Sequence, residues 1–217
     1  MAAPKEKWPL IQAQYLEHMK VRNYSPRTIE GHAGHLRLFF GYMEKETKVQ
    51  DLSELEHEDL SAYQTWLYYS ASRAPDERPL CLATQGIHIG TVKKFFRYLF
   101  KQGALLFDPA AAIEKPKAHK PLPRGILDGP QVLALLHAPN VDTGLGLRDR
   151  AMLEMLYATG IRNSELTTLK IRDVDMEGGQ LLVKGKGEKE RLVPLGRIAR
   201  AWLVRYLEAS RPRRVEG

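Results

Sequence analysis

Cysteine and long apolar runs are scarce in this sequence, and each shortage excludes a class of protein. The single thiol, Cys81, cannot build a disulfide framework or a cysteine-based zinc site within the chain. Its apolar neighbours in "PLCLAT" predict a buried structural thiol in a reducing compartment. No run approaches the roughly 20 apolar residues that a membrane span needs, and the first ten residues do not form a secretory signal. We therefore expect a cytoplasmic protein with no membrane contact.

Acidic residues are outnumbered, 26 against 33 lysines and arginines, which gives the 217-residue chain a formal net charge of +7. The excess is concentrated in two stretches. Residues 115–124 carry four basic residues and no acidic one, and residues 184–217 carry ten basic and four acidic residues. Positive charge clustered in this way favours a polyanion such as nucleic acid over a small acidic substrate. For residues 184–217 alone, a solvated basic tail is the alternative.

Apolar residues recur at helical spacing through the first hundred residues. Ser25 is the predicted N-cap of one helix, with Pro26 at its first position, and Gly103 is the predicted C′ residue of another. Four or five short helices of this kind form a bundle. The predicted helical stretches are 8–21, 24–43, 58–70 and 83–103, followed by a short turn within 107–116.

Residues 115–125, KPKAHKPLPRG, hold three prolines and four positive charges, which predict a linker between two domains. The linker separates residues 1–114 from residues 126–217. In the second domain, "QLLVKGKGEKERLVPL" predicts a β-hairpin whose Gly-rich tip is longer than two residues. The predicted fold class is mainly α, with an N-terminal helical bundle and an α+β domain that contains the hairpin. The predicted helices of that second domain lie at about 128–138, 147–158, 163–170 and 196–210.

An arginine in the stretch "YATGIRNSEL" is the first candidate for chemistry. Arg162 directly follows the end of one predicted helix at Gly160 and precedes the next. Its planar guanidinium suits a phosphate, and the free N–H groups of the following helix favour an anion nearby. Glu165 lies on the same side of the helical turn and is placed to orient the arginine. On these residues alone, a purely structural arginine that pairs with Glu165 or caps the preceding helix is the alternative.

A lysine at the tip of the predicted hairpin is the second candidate. Lys186 stands between Gly185 and Gly187, which allow the backbone to fold tightly. A lysine there can contact a phosphate or, if its proton is labile, act as a general acid. An ordinary solvated turn is the alternative, and the spacing excludes a P-loop.

Basic and aromatic residues are interleaved near the end of the fourth predicted helix. Lys93, Lys94 and Arg97 alternate with Phe95 and Phe96. The basic residues then form either an edge that faces a nucleic-acid groove or the solvated side of a helix whose aromatic residues lie in the core.

In this order the motifs resemble those of the tyrosine recombinases of the phage-integrase and XerC/XerD type. "YSPRTIEGHAGHLRLFFGYM" and "TVKKFFRYLFKQGALLFDPAAAIEKPK" are similar to the family's N-terminal, SAM-like core-binding domain. "LPRGILDGPQVLALL" is similar to the start of its catalytic domain. "RDRAMLEMLYATGIRNSELTTLKIRDVD" resembles the catalytic-arginine motif, and "VKGKGEKERLVPL" resembles the hairpin that carries the catalytic lysine. The resemblance extends over roughly residues 8–210.

The resemblance implies a role for each candidate. Arg162 would hold the scissile phosphate, Lys186 would protonate the leaving 5′-oxygen, and Glu165 would support the site, without a metal or cofactor. Lys184 and Lys189 are nearby alternatives to Lys186. The implied partners are duplex DNA carrying a specific recombination site and further protomers, which assemble into a tetramer in this family. The candidate DNA contacts are Lys93, Lys94, Arg97, Lys115, Lys117, Lys120, Lys184, Lys189 and Arg191.

The sequence departs from the family pattern after the hairpin. The family also needs an H-x-x-R box, a further His or Trp and a nucleophilic tyrosine there, and residues 187–217 contain no histidine. The only later tyrosine, Tyr206, lies on an apolar helix and is expected to pack. We therefore expect an incomplete active site and leave open whether the chain is an enzyme.

Three interpretations of this departure remain. The chain is a fragment of a longer recombinase, a natural truncation of the kind left by mobile elements, or a non-catalytic DNA-binding protein that modulates a full-length recombinase. An unrelated basic protein that binds RNA is a remote fourth interpretation.

Overall fold

A computed structural model describes residues 4–69, 80–117, 125–185 and 189–210. The chain divides into two units, Met1–Pro121 and Leu122–Gly217, here called the N-terminal and the C-terminal unit. Most of the predicted linker, residues 118–124, lies outside the described residues. Within the ranges that are described, no helix is both long and apolar enough to cross a membrane.

The described residues of the N-terminal unit contain four α-helices, in agreement with the predicted four or five, whereas the predicted short helical turn within 107–116 is a turn without a helix. The Ser25 hydroxyl accepts a hydrogen bond from the Thr28 backbone N–H at 3.3 Å, and Pro26 follows at the first helical position. Gly103 adopts a left-handed φ of 70° directly after the last helix, which confirms its predicted C′ role. The helices are α1 Trp8–Val21, α2 Pro26–Glu46, α3 His57–Tyr69 and α4 Leu82–Lys101.

Aromatic side chains fill the core between α1, α2, α3 and α4. Phe39 meets Tyr63 and Phe96 edge to face, at centroid distances of 5.0 and 5.8 Å. Phe40 meets Phe95 in the same way at 5.7 Å and stacks on Trp8. Such pairs each contribute roughly 0.5–1.5 kcal/mol beyond the area that they bury. Phe95 and Phe96 of α4 therefore point into the core, and Lys94 and Arg97 on either side of them are exposed.

The predicted burial of Cys81 was wrong. Cys81 is exposed and occupies the N-cap of α4, where its Sγ lies 3.1 Å from the Thr84 hydroxyl. An N-cap side chain turns back over the first helical turn and faces solvent. The apolar neighbours of this cysteine therefore did not decide its burial.

In the described part of the C-terminal unit, four α-helices accompany a three-stranded antiparallel sheet of order β1-β2-β3. The predicted hairpin is confirmed, and its register pairs Lys184 with Glu190 next to the tip. Strand β1 was not predicted, because two residues are too short to show a periodic pattern. The elements are α5 Gly129–His137, α6 Gly144–Thr159, α7 Asn163–Thr168, β1 Val174–Asp175, β2 Gln180–Lys184, β3 Glu190–Pro194 and α8 Arg197–Ala209.

The core of the C-terminal unit lies between the sheet and the helices α6 and α8. Leu181 and Val183 of β2 are fully buried and belong to one cluster with Met155 of α6 and Leu203 of α8. Tyr206 packs against this cluster, as predicted. Alternate residues of the short strand β2 are therefore anchored, which holds the base of the hairpin in place.

A buried tyrosine–histidine pair gives the N-terminal unit a built-in sensitivity to acid. The Tyr15 hydroxyl lies 2.9 Å from Nδ1 of His32, and both side chains are buried. Burial lowers the pKa of His32 from 6.5 to about 4, and the charge of Lys94 and the neighbouring His35 act in the same direction. The folded unit therefore holds His32 neutral.

We expect the N-terminal unit to lose stability as the pH falls from about 6.5 to 4. In this window the unfolded chain binds a proton at His32 that the folded unit excludes, so the stability present above pH 6.5 is progressively lost. The whole shift corresponds to at most about 3 kcal/mol. Urea unfolding of the whole chain, followed residue by residue by NMR at several pH values, measures this loss.

The matched variants for this test are His32→Asn and His57→Gln. Asparagine cannot titrate but keeps a polar atom near Nδ1 for Tyr15, so this variant should show a flatter pH dependence. His57 is exposed, and its replacement should leave the pH dependence unchanged. If His32→Asn retained the full acid loss, the assignment to His32 would be refuted.

Candidate phosphate-binding site

The corner between α6 and α7 fixes the backbone of Arg162. Helix α6 ends at Thr159, and Gly160 is its C-cap. Gly160 has a left-handed φ of 63°, and the Gly160 N–H donates to the Leu156 carbonyl. The Ile161 side chain is buried in the core of the C-terminal unit and anchors the corner there. Arg162 then follows in an extended conformation as the N-cap of α7. The arginine therefore stands on backbone that is held on both sides, as the sequence predicts.

Glu165 holds Arg162 at two points. The backbone N–H of Arg162 donates to Oε2 of Glu165 at 2.9 Å, and Nη1 of Arg162 donates to Oε1 at 3.0 Å. The first bond satisfies an N–H at the start of α7, which otherwise has no helical acceptor. The predicted contact between the two residues is therefore present, and one carboxylate orients both the main chain and the side chain of the arginine.

A second arginine reaches the same carboxylate from the hairpin. Nη1 and Nη2 of Arg191 on β3 donate to Oε1 and Oε2 of Glu165, at 3.0 and 2.8 Å. Arg191 was predicted as a DNA contact, and its pair with Glu165 was not predicted, because no local spacing relates residues that are 26 positions apart. Gly185 allows the approach, since a Cβ there would lie only 3.2 Å from Nη1 of Arg191.

The cluster of Arg162, Glu165 and Arg191 has an excess positive charge that faces solvent. The hydrogen bonds from the Arg191 side chain, followed by the one from the Arg162 backbone, lower the pKa of Glu165 from 4.5 to about 2. The carboxylate is therefore ionised at neutral pH, and two guanidiniums surround it. The Glu165 side chain is 5% exposed, whereas those of Arg162 and Arg191 are 73% and 42% exposed. This arrangement suits the binding of an anion next to Arg162.

The candidate lysine, Lys186, lies outside the described residues, but the base of its hairpin is defined. The Gly185 N–H donates to the Lys189 carbonyl at 2.8 Å and closes the hairpin below the tip. The Lys184 ammonium lies 3.0 Å from the Glu190 carboxylate, and this contact raises the pKa of Lys184. Lys189 is exposed. Of the two alternatives to Lys186, Lys184 is thus already engaged in an ion pair.

In the N-terminal unit, Lys94 and Arg97 are exposed and line a cavity of about 230 Å³. The charges among its lining residues are all positive, and Tyr15 and His32 form part of its wall. Lys93 instead turns inward, and its ammonium donates to the backbone carbonyls of Ala111, at 3.0 Å, and of Ile113. The other basic residues that line the cavity are Arg22 and Lys101.

The basic residues of the predicted linker lie in different surroundings. The Lys115 side chain crosses Gly90 of α4 so closely that a Cβ there would lie 2.9 Å from Nζ. Lys117 is exposed, and Lys120 lies outside the described residues. In the part of the chain that the structure describes, no group of three or more His, Cys, Asp or Glu side chains is placed to hold a metal ion.

Two protein-family models match this chain, one for each unit. The model of the phage integrase N-terminal SAM-like domain matches residues 13–103, and that of the phage integrase family matches residues 126–215. Tyrosine recombinase XerC 2 of Ralstonia nicotianae is 38% identical over 199 residues, which are 91% of this chain and 56% of the relative. Tyrosine recombinase XerD of Yersinia pestis is 37% identical over 210 residues, or 96% and 66%. The chain therefore spans between about half and two thirds of these relatives.

A solved structure shares the fold. The XerH site-specific recombinase, in its post-cleavage complex with a palindromic difH substrate, has a TM-score of 0.66 and is 24% identical in sequence. The match covers 87% of this chain and 55% of that one. The helical N-terminal unit and the α+β C-terminal unit thus agree with the two family models and with the fold of this structure. The chain belongs to the phage integrase family of tyrosine recombinases.

Proposed function

We propose that this protein binds duplex DNA at a specific recombination site and takes part in site-specific recombination or integration. The observation that carries the proposal is the exposed guanidinium of Arg162, which a nearly buried carboxylate orients on a rigid helix corner. A scissile phosphate needs a fixed cation of this kind. The similar proteins XerC 2 and XerD are named tyrosine recombinases, and the site described above suits the chemistry that this name implies.

The proposed chemistry is the transfer of a DNA phosphodiester to a tyrosine. The tyrosine oxygen attacks the phosphorus, the bond to the 5′-oxygen breaks, and a 3′-phosphotyrosine and a free 5′-hydroxyl result. Negative charge develops on the non-bridging oxygens, where a preorganised guanidinium is most effective. In this scheme Arg162 holds the phosphate, and Glu165 orients Arg162. Lys186 gives its proton to the leaving 5′-oxygen.

Both units contribute basic side chains for the DNA backbone. Contacts of this type position a protein on a duplex and make its affinity depend on salt, but they carry no sequence information. Lys94 and Arg97 lie on the exposed side of α4. The cavity that they line, whose charged residues are all positive, supports their proposed role as DNA contacts. The other proposed contacts are Lys115, Lys117, Lys120, Lys184 and Lys189. Two residues predicted from the sequence are not proposed as contacts: Lys93 donates to backbone carbonyls, and Arg191 is paired with Glu165.

The proposed assembly follows from the same chemistry. Exchange of strands between two duplexes requires four cleavages, and we therefore propose that further recombinase protomers join this one on DNA as a tetramer. The reaction would take place in the cytoplasm on the chromosome or on a mobile element. A non-catalytic role is the alternative, in which the chain binds recombination sites and modulates a full-length recombinase. Tyr206 packs against the core of the C-terminal unit and is not proposed as the nucleophile.

Arg162→Ala should weaken the binding of a duplex that carries a recombination site for Xer-type enzymes. Loss of one phosphate contact should lower the slope of log K against log salt concentration by about 0.9. The measurement is fluorescence anisotropy with a labelled duplex at several salt concentrations. Arg197→Ala removes an exposed arginine elsewhere in the C-terminal unit and should leave the slope nearly unchanged. Equal losses in the two variants, or tighter binding of single-stranded RNA than of duplex DNA, would contradict the proposal.

Covalent trapping on a nicked duplex distinguishes the catalytic from the non-catalytic role. We expect residues 1–217 alone to bind without a denaturation-resistant adduct, because the Tyr206 ring packs against the core of the C-terminal unit. The product of the same gene read past the codon for Gly217 should form the adduct if the frame encodes a tyrosine there. Arg162→Ala and Lys186→Ala should then abolish the adduct while both variants still bind DNA. An adduct mapped to Tyr206 would overturn this assignment.

A further inference from the structure

We infer that Arg191 is a positioning residue, which binds the Glu165 carboxylate so that the outward N–H groups of Arg162 are left for the phosphate. The inference deepens the proposed function and rests on it, because it concerns the same site. It also replaces the expectation from sequence that Arg191 contacts DNA directly.

The two arginines use their donors differently. Both terminal nitrogens of Arg191 point at Glu165 and form two parallel hydrogen bonds, one to each carboxylate oxygen. This fork-to-fork geometry is the strongest arrangement for the pair, and it occupies the end of the Arg191 guanidinium at which both terminal nitrogens could otherwise bind a phosphate together. Among the described residues, the Arg162 guanidinium makes one hydrogen bond, from Nη1 to Glu165. The terminal nitrogens of Arg162 are therefore more available to a phosphate than those of Arg191, which both bind Glu165.

Competition for one carboxylate explains why the second arginine matters. Without Arg191, Oε1 and Oε2 of Glu165 would lose two hydrogen bonds from a cation, and the exposed Arg162 side chain could rotate to replace them. A guanidinium paired in that way would lose the donors that a phosphate needs. Arg191 thus prevents a collapse of Arg162 onto its own supporting carboxylate.

The same contact joins two separate parts of the C-terminal unit. Arg191 pairs with Val183 in the ladder between β2 and β3, and this ladder carries the hairpin tip with Lys186. Glu165 lies in α7, directly after the α6–α7 corner. The ion pair between them therefore links the hairpin of the candidate lysine to the corner of the candidate arginine. A Cβ at Gly185 would lie 3.2 Å from Nη1 of Arg191 and 3.5 Å from Oε1 of Glu165, so the glycine leaves room for this link.

A first test measures the link in the absence of DNA. Carbon-13 NMR of the Glu165 carboxyl group should give a pKa of about 2 in the unaltered chain. In Arg191→Gln this pKa should rise clearly towards 4.5, and it should rise less in Arg162→Ala, because Arg191 is the larger cause of the depression. An unchanged Glu165 pKa in Arg191→Gln would overturn the inference.

A second test asks whether Arg191 acts through Arg162. Binding of the same duplex is measured for Arg191→Gln, Arg162→Ala and the double variant. A positioning role predicts that Arg191→Gln weakens binding by about tenfold in the unaltered chain and clearly less in the Arg162→Ala background, where only its loss of positive charge remains. Losses that multiply in the double variant would show a direct DNA contact by Arg191 and would overturn the inference.

Arg191→Lys keeps the inference testable if Arg191→Gln fails to fold. Lysine retains the positive charge but cannot form the two-point pair with Glu165. A positioning role predicts weakened DNA binding and a raised Glu165 pKa for this variant, whereas a phosphate contact predicts nearly full binding. Lys189→Gln, on the same hairpin and exposed, is the control that should leave the Glu165 pKa unchanged.

The two tests also separate this inference from the proposed function. If the unaltered chain did not bind duplex DNA, the proposed function would fail, while the Glu165 titration would still establish or refute the link. If DNA bound as expected but the titration showed no effect of Arg191, the inference alone would fail.

Discussion

The carboxylate of Glu165, held between two guanidiniums, is the interaction on which the candidate site depends. It accepts hydrogen bonds from the Arg162 backbone, from the Arg162 side chain and twice from Arg191. A nearly buried carboxylate is costly unless it is paired and hydrogen-bonded in this way. The low pKa of Glu165 reflects these bonds and keeps the group ionised at neutral pH. One short side chain thereby orients a helix start, an exposed cation and a strand.

The rest of the C-terminal unit places the three groups within reach of each other. Gly160 and Ile161 fix the corner before Arg162, and the buried residues Leu181 and Val183 fix the base of the hairpin. Arg150 and Glu154 form a buried ion pair in α6, and Arg150 also lies over the Trp202 ring of α8, 4.6 Å from its centroid. Helix α6 is thus tied to α8 along its length, and the corner at its end has little freedom to move.

Features coded by neighbouring residues could be predicted from the sequence. The Ser25 cap, the left-handed Gly103 and the hairpin each arise from the intrinsic preferences of a few adjacent residues. The contact of Arg162 with Glu165 was also predictable, since the two lie three positions apart around one helix start. The pair between Arg191 and Glu165 was not, because it depends on how the sheet packs against α7. The prediction that Cys81 is buried failed for a related reason. The exposure of Cys81 depends on its N-cap position and not on its apolar neighbours.

A carboxylate inside a candidate phosphate-binding site would by itself repel the phosphate. By Coulomb's law, the repulsion between Glu165 and a phosphate is nearly as large as the attraction of Arg162 at a similar distance. With Arg162 alone, the two charges would almost cancel, and the gain in orientation would be offset by a loss of attraction. The second guanidinium changes this balance, because the cluster then keeps one net positive charge close to solvent. Orientation and attraction are compatible here only because two arginines share one carboxylate.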